Sequence, residues 1–136
     1  MSKLKLMPYE GLGNLRFSMS RDTIRSMLGD TFTSFKRTQE DLSPIDFYYQ
    51  LGLQLSYDAN ERLEFIEAIP PECIPIYDNI ELMGDLEGII KRLTEIGYNS
   101  RYDKGGYFVD ELGFALYAPM EKIEAVSIYR SGYYET

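Results

Sequence analysis

The chain has 136 residues, with 14 Lys or Arg against 22 Asp or Glu, which gives a formal net charge of -8 at pH 7. Nucleic acids and anionic membranes are bound by clustered basic side chains, so this balance disfavours both as partners. An acidic surface instead favours fast association with a basic protein, although acidity is also an ordinary way to keep a domain soluble.

The first half of the chain predicts a helix followed by two strands. Ser20 is typical of a helix N-cap, apolar residues follow at helical spacing, and Gly29 suits the left-handed position just past the helix end. Two runs of alternating apolar residues, 47–57 and 63–69, predict a pair of antiparallel strands.

The second half repeats this order after a proline-rich seam. Prolines within residues 70–75 disfavour helix and central strand, so we place the boundary between the two halves there. Asp85 then predicts a helix N-cap, Gly97 predicts the helix end, and runs 107–117 and 123–129 predict two more strands.

The two halves also resemble each other in detail. Leu51-Gly52 corresponds to Leu112-Gly113, and Leu63-Glu64 corresponds to Ile123-Glu124, at nearly the same separation. We therefore predict an α+β fold in one domain, residues 1–136. It would consist of two tandem β-α-β-β(-β) units, about 11–69 and 76–130, that form an antiparallel sheet with helices on one face.

The strand pattern divides the predicted sheet into a core face and an open face. Leu51, Leu53 and Leu55 match Leu112, Phe114 and Leu116 on the core face, because alternate residues of a strand share a side. Tyrosine offers large contact area and a polar tip, which suits an interface, although strands are enriched in aromatic residues in any case. The predicted partner-binding residues on the open face are Tyr48, Phe65, Glu67, Glu111, Tyr117 and Tyr129.

The residues give no support for catalysis. The sequence contains no His, which excludes Ser-His-Asp and Cys-His sites in their usual form. Cys73 has no cationic sequence neighbour to activate it, and the adjacent acids Asp110 and Glu111 would point to opposite faces of a strand. We predict no catalytic residue, no metal and no cofactor.

A cytoplasmic location is expected. A single cysteine cannot form an internal disulfide, and the N-terminal residues contain no apolar stretch typical of a signal peptide or a membrane span. The last six residues, SGYYET, are predicted to be exposed.

One segment resembles a known sequence pattern. Residues 11–30, GLGNLRFSMSRDTIRSMLGD, are similar to the G-x-x-F-G-M-T-x-x-x-V-x-x-L-L-G segment of small bacterial proteins. The pattern occurs in outer-membrane assembly lipoproteins and in proteins encoded beside polymorphic toxins. Here Phe17-Ser18-Met19-Ser20 and Met27-Leu28-Gly29 carry the likeness, with Ser18 in place of the usual Gly. The pattern implies a strand, a turn and a helix.

The overall layout resembles the β-lactamase inhibitory proteins and the bacterial immunity proteins. This resemblance implies a non-catalytic, cytoplasmic, immunity-type inhibitor that neutralises a cognate basic toxin domain through an acidic, tyrosine-rich sheet face. A small-molecule or peptide-binding module that uses the same open face is the alternative. An enzyme with paired carboxylates and a self-assembling structural protein are further possibilities, and the sequence leaves the oligomeric state open.

Overall fold

The structure is a computed structural model that describes residues 2–40 and 43–134, which form thirteen strands and two helices. In chain order these elements are β1 (Ser2–Met7), β2 (Gly11–Leu12), β3 (Leu15–Arg16), α1 (Arg21–Leu28), β4 (Thr33–Phe35), β5 (Ile45–Tyr48), β6 (Leu53–Tyr57), β7 (Leu63–Ala68), β8 (Cys73–Tyr77), β9 (Ile80–Glu81), α2 (Leu86–Glu95), β10 (Arg101–Asp103), β11 (Gly106–Val109), β12 (Phe114–Tyr117) and β13 (Ala125–Tyr129).

The strands form two sheets, so the fold is of the mixed α+β class. The large sheet has eight strands in the order β10-β11-β12-β13-β7-β6-β5-β4, and every neighbouring pair is antiparallel. The small sheet has the order β3-β2-β1-β8-β9, in which β1 and β8 run parallel. The two halves of the large sheet meet where β7 pairs with β13.

Both predicted helices are confirmed, with their caps. The Ser20 hydroxyl accepts a hydrogen bond from the Thr23 amide at 3.2 Å, and the Asp85 carboxylate accepts one from the Gly88 amide at 2.9 Å. These bonds satisfy amides that the first turn of a helix leaves without partners. Within the described residues, neither helix is both long and apolar enough to cross a membrane.

The helices pack on one face of the large sheet. Ile24 of α1 and Leu93 of α2 belong to the same buried cluster as Leu55, Ile66 and Val126 of the sheet. Apolar side chains of β1, β2 and β8 join this cluster, so the small sheet covers the same face. In the part of the chain that the structure describes, neither helix covers the opposite face of the large sheet.

Each of the runs 47–57 and 107–117, predicted as one strand, is a hairpin. The repeated Leu-Gly pairs form the turns rather than lying within strands. Leu51 donates its amide to the carbonyl of Tyr48, and Leu112 donates to Val109, each at 3.0 Å. The following glycines, Gly52 and Gly113, have φ angles of 67° and 70°, which favour glycine. Apolar turn residues made these segments resemble continuous strands.

Each half of the chain contains a helix followed by four antiparallel strands, and equivalent backbone hydrogen bonds tie each helix start to a later turn and strand. The amide–carbonyl pairs are Arg21–Glu61 (3.0 Å), Leu86–Glu121 (3.0 Å), Leu63–Met19 (2.9 Å) and Ile123–Gly84 (2.8 Å). The turns that precede β7 and β13 also match, because Glu61 and Glu121 in these turns both have positive φ angles, of 59° and 63°.

The proline-rich seam interrupts the strands only as far as residue 72, where a turn between β7 and β8 ends. β8 begins at Cys73 and contains Pro75, whose carbonyl accepts a hydrogen bond from the Leu82 amide at 2.9 Å. A proline has no backbone N–H but keeps its carbonyl, so Pro75 loses only one of the hydrogen bonds that join neighbouring strands. The parallel partner β1 was not predicted, because its register with β8 depends on a contact far along the chain.

A buried ion cluster joins α1 to the large sheet. Asp46 of β5 is fully buried, and its carboxylate accepts hydrogen bonds from Arg21 at 2.9 Å and from Arg25 at 2.9 and 3.0 Å. The Ser34 hydroxyl donates to the same carboxylate at 2.6 Å. The hydrogen bond with Asp46 raises the pKa of Arg25 and outweighs the opposing effect of burial. The arginines therefore neutralise a carboxylate that would be costly to bury alone.

Candidate functional site

The helix-free side of the large sheet, which we call the open face, presents a continuous row of side chains across neighbouring strands. Paired register positions place them side by side. From β10 to β5 the row consists of Arg101, Phe108, Ala115, Ser127, Glu67, Gln54 and Phe47. Because residues paired in antiparallel strands share a face, these side chains form one surface.

A second part of the open face is aromatic and is covered by the end of the described chain. Phe65 of β7 and Tyr129 of β13 are register partners, yet they are only 6% and 4% exposed. The ring of Tyr133 lies 4.9 Å from Phe65 and 6.4 Å from Tyr129 between centroids, and Tyr134 lies 4.8 Å from Tyr129. Residues 130–134, which we call the C-terminal strap, therefore fold back over the sheet.

The strap is attached to the sheet at its first residue. The Arg130 amide donates to the Glu64 carbonyl at 3.1 Å, and the Arg130 guanidinium donates to the Glu64 carboxylate at 3.4 Å. Partial burial raises the pKa of Glu64, and the nearby Arg130 opposes that rise. This pair directs the chain across the open face instead of away from it.

An open cavity of about 530 Å³ lies beside the strap. Glu67 and Ser127 line its floor, and Tyr117 and Tyr134 line it with rings that are 46% and 55% exposed. Burial raises the pKa of Tyr134, and Glu67 adds to that rise while Arg37 lowers it. The Glu67 carboxylate itself makes no hydrogen bond or ion pair with any described residue.

The arginine on the cavity wall already has partners. Arg101 donates to the Asp110 carboxylate at 2.6 and 3.0 Å and lies over the ring of Phe108, 4.8 Å from its centroid. Asp103 adds a third contact at 3.5 Å. The positive charge of Arg101 is thus balanced by these carboxylates, and neither Arg101 nor Lys104, which also lines the cavity, forms an ion pair with Glu67.

No known protein family matches this chain, and no curated protein or solved structure is significantly similar to it. The likeness to inhibitory and immunity proteins therefore depends on layout alone. Function has to be argued from the open face.

Four of the six predicted residues lie on the open face. Glu67 and Tyr117 line one cavity, and Phe65 and Tyr129 lie under the strap. The structure therefore divides the predicted surface into an accessible acidic part and a covered aromatic part.

The prediction for Tyr48 is wrong. Its side chain is fully buried on the core face, because Tyr48 pairs with Leu53 across the first hairpin turn. Treating residues 47–57 as one strand had reversed its direction. Burial raises the pKa of Tyr48 to about 12, and the side chain offers no surface to a partner.

The face assignment of Glu111 is wrong for the same reason. It lies in the turn that joins β11 to β12, at the opposite end of β12 from Tyr117. Its side chain is exposed, but it is not part of the row on the open face. Of the last six residues, predicted to be exposed, Ser131 and Tyr134 are exposed, whereas Tyr133 is partly buried against Phe65. The final two of those residues lie outside the described part.

Sequence reasoning did not select the strap tyrosines, Tyr9 or Arg101. Tyr9 follows β1, and the centroid of its ring lies 6.1 Å from that of Tyr129. The one available signal was the doublet Tyr133-Tyr134, since two large aromatic residues directly after a final strand favour packing over solvation.

Cys73 is buried and is poorly placed to act as a nucleophile. Burial raises the pKa of the Cys73 thiol to about 12, so it stays protonated at neutral pH and has little nucleophilic character. Among residues 2–40 and 43–134, no three His, Cys, Asp or Glu side chains converge to form a metal site.

Proposed function

We propose that this protein is a non-catalytic, immunity-type inhibitor that acts in the cytoplasm and neutralises a basic toxin domain. The observation that supports this most is the cavity on the open face, where the partly exposed Glu67 lies beside the exposed rings of Tyr117 and Tyr134. Aromatic rings supply contact area at low entropic cost, and an acidic group provides charge complementarity.

The net charge of -8 supports the same partner chemistry. A strongly acidic protein attracts a basic partner over several ångströms and accelerates encounter, whereas it repels acidic proteins and nucleic acids. Mechanistically, carboxylates of the inhibitor would occupy the basic substrate site of the toxin, and the exposed tyrosines would exclude water from the contact.

We also propose that the two halves are tandem copies of one unit. The equivalent hydrogen bonds at Glu61 and Glu121 and the equivalent Leu-Gly turns support this interpretation. Joining two units through β7 and β13 gives an eight-stranded sheet whose open face is about twice the width of either half. A wide sheet is suited to bind a protein surface.

A small-molecule or peptide ligand is the second candidate. The cavity of about 530 Å³ is within the range of about 300–1,000 Å³ typical of ligand sites. Its wide opening and the lack of an ion pair at Glu67 favour a protein partner. A metabolite that raises the melting temperature in the absence of any protein would favour this second function.

Affinity capture from the native host, with a matched pair of variants, tests the proposal. We expect the wild-type chain to retain a basic protein at about one to one, with affinity that falls as salt rises. Glu67→Arg should abolish retention. Glu87→Arg changes charge equally on the outer surface of α2 and should retain the partner.

Co-expression makes the test functional. The captured protein should be toxic alone, and the wild-type chain should suppress that toxicity more effectively than the Glu67→Arg variant. A captured protein that is harmless or acidic would contradict the proposed function, and a toxin bound equally by both variants would contradict only the placement of its site at Glu67.

A further inference from the structure

The cavity on the open face has the components of an arginine site but contains no arginine that is available to Glu67. Glu67 occupies the middle of the sheet, between Ser127 of β13 and Gln54 of β6. Within residues 2–40 and 43–134 its carboxylate makes no hydrogen bond or ion pair, although it is partly buried. A carboxylate that is partly removed from water gains most from a charged hydrogen-bond donor.

The chain itself shows how it binds guanidinium groups elsewhere. In the described residues, Arg21 lies 4.3 Å from the ring centroid of Tyr57 and donates to Asp46. Arg25 lies 4.7 Å from the ring of Phe32 and donates to the same carboxylate.

Arg101 has the same surroundings at the surface. It lies 4.8 Å from the ring centroid of Phe108 and donates to Asp110 at two positions. Each of these three arginines is therefore held between an aromatic ring and a carboxylate. The cavity presents the same two components, the Glu67 carboxylate and the rings of Tyr117 and Tyr134.

We propose that an arginine side chain of the partner protein inserts into this cavity, pairs with Glu67 and stacks on Tyr117 and Tyr134. The proposal deepens the proposed function and rests on it for the identity of the partner as a basic protein. Arginine fits better than lysine, because a planar guanidinium donates two hydrogen bonds in parallel and stacks on an aromatic ring at the same time.

The position of the cavity explains why the site remains accessible. The strap covers Phe65 and Tyr129, but Tyr134 at its edge is 55% exposed and lines the cavity instead of closing it. The Ser127 hydroxyl beside Glu67 offers a further acceptor for a guanidinium N–H. A side chain can therefore enter without displacing the strap.

Titration of the full chain with N-acetyl-arginine amide tests the proposal without any partner. We expect saturable shifts of the backbone amides of Glu67, Ala115 and Ser127 in heteronuclear NMR spectra. N-acetyl-citrulline amide is a neutral analogue of the same shape and should shift them little. Glu67→Gln should weaken binding of the arginine probe by roughly tenfold or more, as expected for loss of a charged hydrogen bond.

Three further variants separate the site from general electrostatics. Glu111→Gln removes the same charge from an exposed turn and should leave the affinity unchanged. Tyr117→Ala should weaken binding and Tyr117→Phe should not, since only the ring is required. Glu67→Gln breaks no side-chain hydrogen bond or ion pair of the described residues, so its melting temperature should match the wild type.

The proposal would be overturned if the arginine probe caused no shifts. It would also be overturned if the citrulline probe caused equal shifts or if the shifts persisted in Glu67→Gln. The capture experiment distinguishes the two ideas. A toxin retained equally by the wild type and by Glu67→Gln would leave the inhibitor function standing and remove the arginine site. If the chain bound arginine specifically but retained no toxic partner, the arginine site would stand and the inhibitor function would be removed.

Discussion

The ring centroids of Tyr133 and Phe65 lie 4.9 Å apart at an interplanar angle of 35°, which joins the end of the described chain to the middle of the large sheet. Phe65 is only 6% exposed although no helix covers its face. The aromatic surface of this protein is therefore partly buried by its own strap, and the accessible surface next to it is the cavity around Glu67.

Removing the strap rings should expose this surface. In Tyr133→Ala/Tyr134→Ala, we expect increased fluorescence of a hydrophobic dye and a loss of about 1–3 kcal/mol in the free energy of unfolding, since large buried rings and aromatic contacts are removed. Urea denaturation and dye binding measure these effects.

The control for this variant is Tyr102→Ala at the edge strand β10, where the side chain is 65% exposed. This substitution should change the free energy of unfolding by at most about 0.5 kcal/mol. Equal losses in the two proteins, or no increase in dye binding, would show that the strap does not shield the sheet.

Alkaline titration should reveal the same burial. Burial raises the pKa of Tyr129 and of Tyr133 above the ordinary value of 10.0 and raises that of Tyr48 to about 12. Because the folded pKa values exceed the unfolded ones, this contribution to stability is complete below pH 10 and is lost as pH rises through the folded values. Phenolate absorbance and urea midpoints measured across this range test the expectation.

The variant without the strap rings provides the comparison. Tyr129 should then ionise closer to its ordinary pKa, while Tyr48 in the core should be unchanged. Identical titration curves, after allowance for the two missing tyrosines, would mean that burial of Tyr129 does not depend on the strap.

Local signals were sufficient to predict both helices and the α+β class, but not the four strands that follow each helix. Capping residues such as Ser20 and Asp85 act within one helical turn, so sequence alone reveals them. The same is true of the alternation in β7 and β13, which correctly placed Phe65 and Glu67 on the open face.

The Leu-Gly hairpin turns were not predicted because they contain apolar residues. Leu51-Gly52 continues an apolar pattern, so the turn was not recognised and the direction of Tyr48 was reversed. The covering of Phe65 and the pairing of β1 with β8 depend on contacts between distant parts of the chain. Periodicity contains no information about such contacts.

The buried pair Arg21–Asp46 should be important for stability. Asp46→Ala leaves Arg21, which is 3% exposed, without its main counter-charge, so we expect a loss on the order of 3–5 kcal/mol. Thermal or urea denaturation measures this loss. Arg25 is more exposed and can be solvated after the substitution, so it contributes less to the penalty.

Asp110→Ala provides a matched comparison at the surface. Asp110 also accepts two hydrogen bonds from one arginine, Arg101, but both side chains are more than half exposed. Exposed ion pairs contribute at most about 1 kcal/mol, so this variant should remain nearly as stable as the wild type. Comparable losses in the two variants would contradict the distinction between buried and exposed pairs.

The two Leu-Gly turns should respond differently to the same substitution. A Cβ added at Gly52 would lie 2.7 Å from the Ile69 carbonyl oxygen and 3.0 Å from the Cys73 amide nitrogen, which are backbone atoms. A Cβ at Gly113 would meet ring atoms of Tyr9 at 3.0 Å, and a side chain can move aside. The φ angles of 67° and 70° are nearly equal, so the backbone strain is the same at both positions.

We expect Gly113→Ala to cost about 1–2 kcal/mol, mostly from the positive φ angle, and Gly52→Ala to cost at least about 1 kcal/mol more. Gly105→Ala, where φ is 88° and no atom lies within 4 Å, isolates the cost of the angle itself. Urea denaturation of the three variants measures the differences. If Gly52→Ala were no more destabilising than Gly105→Ala, close contact between the first turn and the start of β8 would have no energetic consequence. The glycine of each Leu-Gly pair would then be explained by its positive φ angle alone.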